Sequence, residues 1–286
     1  MRVLSVSIAL GLSCLVLALV GCTSVAVARS PADACVDAVE GDLDPASCDR
    51  YVAAARDAGD KKELFAAYSY RSLLWQTKGD LVAAIRDADL AIEARPEVRY
   101  GHYWRAVLVG ESGEYQAALT KLRSLESEER YPEFHADIAM LEYMGGDRAS
   151  AASFFRSAST YASEVDRDED SAAYYAFNAA IIESELKGGD LAPIQALKAA
   201  ERSPTVLSRV WTYRVGRMTD AKLQSLIPTM TGPRTRNSPC MCYFAIGHKN
   251  ALAGNTAEAK AAFEAAASNC TVDSFEHHAA KKWLKS

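Results

Sequence analysis

The chain has 286 residues, of which 49% are hydrophobic and 24% are charged, and 37 acidic side chains outnumber 32 basic ones. The formal net charge of −5 leaves no strong basic surface, so we expect no nucleic-acid partner. The chain is longer than a typical compact domain, yet no linker rich in Pro, Gly and Ser divides it, which favours a repeat architecture.

The first segment, residues 1–21, has the anatomy of a secretory signal. A long apolar run follows a single basic residue, Arg2, and ends at small residues. The sequence Leu19-Val20-Gly21-Cys22 resembles the lipobox of bacterial lipoproteins. That resemblance implies removal of residues 1–21 and acylation of Cys22. Because Thr23 rather than Asp follows, it also implies a lipid anchor in the outer membrane, with the protein facing the periplasm.

Two other interpretations of this segment stay open. Cleavage after Ala28 would leave a periplasmic protein without an anchor. Alternatively, the apolar run could be a membrane-spanning helix, although it contains Ser and Gly and no basic stop-transfer cluster follows it. All three interpretations export the chain.

Export to an oxidising compartment favours disulfides between the remaining cysteines. Cys35 and Cys48 lie in an N-terminal linker and helical hairpin, residues 22–60, at nearly equal distances from a predicted turn at Gly41-Asp42. We therefore predict that they bond.

The C-terminal cysteines offer a second disulfide. Cys270 faces Cys240 or Cys242 across a turn near Gly254, and Cys240 is slightly better placed. A metal site built from these three cysteines and His248 is the competing interpretation, but thiolate zinc sites are uncommon in exported proteins.

A repeat of about 34 residues runs through the rest of the chain. Turn glycines recur at Gly79, Gly113 and Gly146, and more distantly at Gly189 and Gly254. A small residue stands seven positions before each regular turn, and Ala stands five positions after it; these residues are Ser72, Ala106, Ala139 and Gly247, then Ala84, Ala118, Ala151 and Ala259. The spacing places each set on one helical face.

These residues resemble the tetratricopeptide repeat. The resemblance implies an all-α fold, an α-solenoid of helical hairpins over residues 61–286, with the last repeat at 240–270 and a C-terminal capping helix at 273–286. The copy around Gly189 is degenerate, and a short helical pair, Val206 to Val215 and Asp220 to Leu226, follows it. Residues 231–239 read as a loop because they hold two prolines and a glycine.

Helix-capping patterns support these boundaries. Asp60 with Glu63 forms a capping-box pattern before the first repeat, and Asp273 with Glu276 forms another before the last helix. Thr219 is a plausible N-cap for the second helix of the short pair.

Motifs that would indicate catalysis are incomplete. In Gly110-Glu-Ser-Gly-Glu114, Glu114 stands where a nucleophile elbow needs Gly. The acidic run Asp166, Asp168 and Asp170 lacks the Gly and the final Glu of a calcium loop. His277 and His278 are adjacent, so a helix would point them about 100° apart. We expect no enzyme activity, no cofactor and no metal.

A solenoid offers a concave surface lined by the first helix of each hairpin. By repeat register, this partner groove carries Leu73, Tyr100, Tyr103, Val107, Met140, Tyr143, Phe244 and His248. Aromatic residues and Met suit the capture of a polypeptide segment. The competing interpretation is that these side chains fill contacts between hairpins.

Residues 133–283 resemble the NlpI family of outer-membrane lipoproteins. The similarity lies in Tyr143-Met-Gly-Gly-Asp147, Tyr213-Arg-Val-Gly216, Tyr243-Phe-Ala-Ile-Gly247 and Phe275-Glu-His-His-Ala279. It implies a scaffold that binds periplasmic proteins, bringing a C-terminal processing protease and peptidoglycan hydrolases together at the membrane. A homodimer through the N-terminal helices is left open, because Cys35 and Cys48 depart from the family pattern.

Two other functions are compatible with the same residues. One is a pilotin-like assembly factor for an outer-membrane machine, since such lipoproteins are also tetratricopeptide arrays. The other is a periplasmic enzyme whose site carries no familiar motif.

Overall fold

The computed structural model describes residues 30–41, 43–125, 132–203, 205–230, 238–271 and 274–285. The predicted signal peptide, Cys22 and the alternative cleavage site after Ala28 lie outside these residues. So do Asp42 of the predicted turn, Asp273 of the second capping pattern and residues 231–237 of the predicted loop. Within the described ranges, no helix is both long and apolar enough to cross a membrane.

The described ranges contain sixteen α-helices and no β-strand. The helices are α1 (Pro31–Glu40), α2 (Pro45–Asp57), α3 (Lys61–Thr77), α4 (Leu81–Ala94), α5 (Arg99–Glu111), α6 (Tyr115–Leu125), α7 (Pro132–Gly145), α8 (Arg148–Tyr161), α9 (Glu169–Leu186), α10 (Ala192–Gln195), α11 (Lys198–Arg202), α12 (Val206–Arg214), α13 (Asp220–Leu226), α14 (Ser238–Leu252), α15 (Thr256–Asn269) and α16 (Phe275–Lys285). Each packs chiefly against its neighbours in chain order, so the predicted all-α solenoid of helical hairpins is confirmed.

The regular hairpins close as the repeat predicts. Gly79, Gly113, Gly146 and Gly254 have positive φ angles at the turns, a conformation that glycine adopts without strain. The first and second helices then approach through small residues. At the first hairpin, for example, the buried Ser72 hydroxyl donates to the carbonyl of Ala84 at 2.8 Å.

The N-terminal hairpin, α1 and α2, packs on α3 and contains the predicted disulfide between Cys35 and Cys48. Asp60 caps α3 by accepting from the backbone amides of Lys62 and Glu63. The Glu63 carboxylate does not complete a reciprocal capping box. It accepts instead from the Tyr51 hydroxyl of α2, at 2.5 Å, and so ties this hairpin to the first repeat.

The region around Gly189 is degenerate, as predicted. In place of one long second helix, α9 is followed by two short helices, α10 and α11, separated at the non-helical Leu197. The short pair is also present, with α12 ending at Arg214 rather than Val215, and Thr219 caps α13 by accepting from the amide of Lys222 at 3.2 Å.

The last repeat, α14 and α15, holds the second disulfide, between Cys240 and Cys270. Cys242 is free and buried next to Met230, and burial raises the pKa of its thiol to about 12. Cys270 therefore pairs with Cys240 and not with Cys242. Sulfur atoms joined in a disulfide cannot act as thiolate ligands, so this pairing is incompatible with the competing metal site.

The capping helix α16 contacts α14 and α15 and also reaches across to α7. Its Lys282 ammonium donates to the carbonyls of Tyr143 and Met144 in the last turn of α7, where carbonyl groups lack helical partners. The C-terminal helix thus lies over part of the inner face of the solenoid.

Two helical glycines provide a test of the close helix approach. A Cβ at Gly247 would lie 2.7 Å from the Phe263 ring, whereas a Cβ at Gly145 would lie 3.7 Å from the Tyr115 Cβ, an ordinary contact. We expect Gly247→Val to lower the free energy of unfolding by about 1–3 kcal/mol through overpacking. Gly145→Ala should instead raise it by about 0.4–1 kcal/mol. Urea denaturation followed by circular dichroism measures the free energy of unfolding of both variants. Equal effects would refute the close approach of Gly247 to the Phe263 ring.

Candidate functional site

A solvent-open cavity of about 440 Å³ lies on the inner face of the solenoid. It is lined by residues from α3, α5, α7, α8, α9, α14 and α16. The first helices of successive hairpins therefore surround one space, which we call the concave cavity.

Four of the eight predicted groove residues line the concave cavity: Leu73, Tyr100, Tyr103 and Met140. The Tyr100 side chain is the most accessible, with 50% of the residue exposed, whereas Tyr103 and Met140 are largely buried in the wall. The structure therefore brings these four together.

The other four, Val107, Tyr143, Phe244 and His248, are buried away from the cavity, so their placement on an open surface was wrong. Val107 fills the packing between α5, α6 and α7. The remaining three are on the inner face, but α16 covers them: Phe275 packs on Tyr143 and Phe244 with ring centroids 5.1 and 5.9 Å apart, and Trp283 packs on His248 at 6.0 Å.

Most of the polar wall of the concave cavity was not among the predicted groove residues. Glu133, Asp137 and Glu276 line the cavity, and among its described lining residues there is no Lys, Arg or His. Tyr103 donates its hydroxyl to Asp137, and Tyr174 donates to Glu276 at 2.9 Å. Positions 133, 137 and 140 share one face of α7 by helical spacing, so the two acidic residues of that face could have been predicted with Met140.

The carboxylates give the concave cavity a negative electrostatic potential. Burial and the charge of Asp137 raise the pKa of the Tyr100 phenol, and burial and the charge of Glu276 raise the pKa of Tyr174. Both phenols stay neutral at physiological pH, so the lining keeps aromatic rings beside negative charge.

A second cavity of about 340 Å³ adjoins the first and shares Leu73, Tyr100 and Trp104 with it. Its other walls are Phe65, Ala66, Ser69 and Tyr70 of α3, so it is largely apolar. The Ser69 hydroxyl donates to the carbonyl of Phe65 at 2.8 Å, within its own helix. We call the two cavities together the groove.

His248 belongs to a buried polar cluster centred on Glu185 of α9. The Glu185 carboxylate accepts from Tyr143 Oη at 3.0 Å, Arg148 Nε at 2.8 Å and His248 Nε2 at 2.7 Å. Burial raises the pKa of Glu185, but the donors from His248 and Arg148 outweigh it, so the pKa is lowered overall. The cluster joins α7, α8, α9 and α14 and is structural.

This cluster predicts an acid-sensitive fold. Burial, together with the charge of Arg214, lowers the pKa of His248 in the folded protein. As the pH falls below about 6.5, the His248 imidazole is therefore protonated in the unfolded chain before it is protonated in the folded protein, and the free energy of unfolding decreases. The contribution of Glu185 is lost on further acidification, because its folded pKa is also depressed. We expect the Tm to fall between about pH 7 and pH 5.

His248→Gln keeps a donor for Glu185 but cannot titrate, so it should flatten the Tm profile in that pH range. Thermal melts of both proteins across the range provide the check. An unchanged slope in the variant would exclude His248 as the source.

Two residues of the incomplete motifs have structural roles. The Ser112 hydroxyl donates to the carbonyl of Val109 at 2.7 Å in the turn after α5. Asp168 caps α9 by accepting from the amides of Asp170 and Ser171 at 3.2 and 3.1 Å. In the part of the chain that the structure describes, no group of three or more His, Cys, Asp and Glu residues converges on a metal position.

No protein-family model matches this chain, and a comparison with curated proteins finds no relative.

Proposed function

We propose that this protein is a scaffold that binds other polypeptides through the groove, anchored by Cys22 at the periplasmic face of the outer membrane. The observation that carries the proposal is the solvent-open groove, to which the first helices of several hairpins each contribute. Its lining of Tyr100, Trp104 and Tyr70 offers large apolar area at a small cost in side-chain entropy, as protein-binding surfaces do.

The resemblance to NlpI lipoproteins supports a particular pair of partners, a C-terminal processing protease and its peptidoglycan-hydrolase substrates. A tethered groove would raise the local concentration of protease and substrate without supplying a catalytic group. The chain would therefore change the rate of a proteolytic reaction that another protein performs.

The test is a reconstitution with purified mature protein, a processing protease and a hydrolase. We expect no cleavage of the hydrolase by the scaffold alone, and faster cleavage by the protease when the scaffold is added. The double variant Tyr100→Ala and Trp104→Ala should lose the acceleration while keeping the circular-dichroism spectrum of the folded protein, because it removes the aromatic wall of the groove. The spectrum is part of the test because Trp104 is partly buried and donates to Ser72 at 2.9 Å. Val82→Ala is the matched control, since Val82 is 82% exposed but lies on α4 outside the groove. Cleavage by the scaffold alone, or acceleration that survives the double variant, would overturn the proposal.

A further inference from the structure

We propose that the interior of the solenoid binds one small monovalent anion, of which chloride is the simplest, on the guanidinium group of Arg214. The site lies where the ends of α9 and α12 approach α14. Arg214 lines neither cavity of the groove, so the proposal is independent of the scaffold function.

The Arg214 side chain is a buried donor group without an acceptor. It is the last residue of α12 and is 2% exposed, and none of its three guanidinium nitrogens has a hydrogen-bond partner among the described residues. Burial lowers the pKa of the group to about 10, so it still carries its charge at physiological pH. A buried charge without a partner is strongly unfavourable, which calls for an acceptor that the chain itself does not supply.

The surroundings of Arg214 include the buried cluster around Glu185. Tyr213, the preceding residue, has the Lys249 ammonium of α14 4.3 Å from its ring centroid, which places the end of α12 beside His248. His248 bonds to Glu185 at 2.7 Å. The charge of Arg214 acts on His248, and the charge of Glu185 acts on Arg214, so the three groups lie in one electrostatic neighbourhood.

The carboxylates of this neighbourhood bond to other groups. Glu185 accepts three hydrogen bonds, and none of them comes from Arg214. Asp220, which follows α12, accepts from the Tyr213 hydroxyl at 3.1 Å and from two side chains of α14.

The backbone carbonyls at the ends of α9 and α12 bond within their own turns. The carbonyl of Tyr213 accepts from the amide of Gly216 at 3.0 Å, and the carbonyl of Ser184 accepts from the amide of Gly189 at 2.8 Å. These helix ends are therefore capped by the chain itself and do not account for the Arg214 donors.

The charge balance of the cluster selects an anion. Arg148 and Arg214 face the single carboxylate of Glu185, and the Lys282 ammonium adds a further positive charge at its edge. Burial and the charge of Arg214 lower the pKa of His248, so the imidazole is neutral at physiological pH. Positive charge is thus in excess, and a guanidinium group offers several N–H donors to one negative ion.

The burial of Arg214 selects a small ion. A side chain of a partner protein or a bulky organic acid cannot reach a residue that is 2% exposed, whereas a single halide ion can enter during local opening of the fold.

The test compares thermal melts of the purified mature protein in sodium chloride, sodium bromide and sodium gluconate at one ionic strength. We expect chloride and bromide to raise the Tm by at least about 3 °C over gluconate, whose ion is too large for the site, and the rise to saturate with halide concentration. Equal Tm values in the three salts, or a rise that never saturates, would overturn the proposal.

Matched variants locate the effect. Arg214→Gln removes the charge and should abolish the halide-dependent rise. Arg217→Gln, three residues later and with a side chain that is 64% exposed, should keep it. The same rise in both variants would show that halide acts elsewhere on the protein.

A second measurement applies if Arg214→Gln does not fold. Crystals of the unaltered protein soaked in bromide should give an anomalous scattering peak in contact with the Arg214 guanidinium. Peaks confined to the protein surface, or water molecules alone against Arg214, would refute the anion site.

Discussion

Replacing Glu185 with Ala is expected to lower the free energy of unfolding by about 3–5 kcal/mol. The carboxylate is almost wholly buried and accepts from Tyr143, Arg148 and His248. Its removal leaves the Arg148 guanidinium without its carboxylate partner. It also removes a carboxylate whose charge acts on Arg214, a buried residue whose guanidinium nitrogens have no hydrogen-bond partner among the described residues. Urea denaturation monitored by circular dichroism measures the loss.

The matched control is Glu183→Ala, on the same helix two residues earlier. Glu183 pairs with Arg156, whose side chain is 63% exposed, so the expected loss is below about 1 kcal/mol. Similar losses for the two variants would show that burial of the Glu185 cluster does not determine its contribution.

Most of the fold is predictable from the sequence because its determinants are local. The recurring turn glycines, and the small residues before and after them, act within a single hairpin. Buried Ser72 facing Ala84 is one case, and Gly247 against Phe263 is another. The degenerate copy is visible in the same way, since Lys198 and Glu201 occupy positions that the regular copies fill with apolar side chains.

The groove is predictable only in its N-terminal half. Register within a hairpin places Tyr143, Phe244 and His248 on the inner face but says nothing about what covers them. The cover comes from α16, where Trp283 Nε1 donates to Tyr143 Oη across 140 residues of sequence, at 3.2 Å. The acidic residue Glu276 could not be predicted for the same reason. It lines the concave cavity only because α16 lies across the inner face.

The disulfide between Cys240 and Cys270 is expected to contribute about 3–4 kcal/mol, because it closes a loop with a sequence separation of 30 residues. The double variant Cys240→Ser and Cys270→Ser should lose this amount in urea denaturation. The corresponding variant of Cys35 and Cys48 should lose about 0.7 kcal/mol less, since that separation is 13 residues and loop entropy scales with the logarithm of length.

The two disulfides should also differ in what they hold in place. Cys270 lies five residues before α16, so the loss of its disulfide frees the start of the helix that covers Tyr143 and Phe244. We expect faster hydrogen exchange in α16 and in the last turn of α7 in the Cys240 and Cys270 variant, and no such change in the Cys35 and Cys48 variant. Equal exchange in α16 for the two variants would show that packing of Phe275 and Trp283 alone fixes this helix. In that case the C-terminal boundary of the groove would not depend on oxidation.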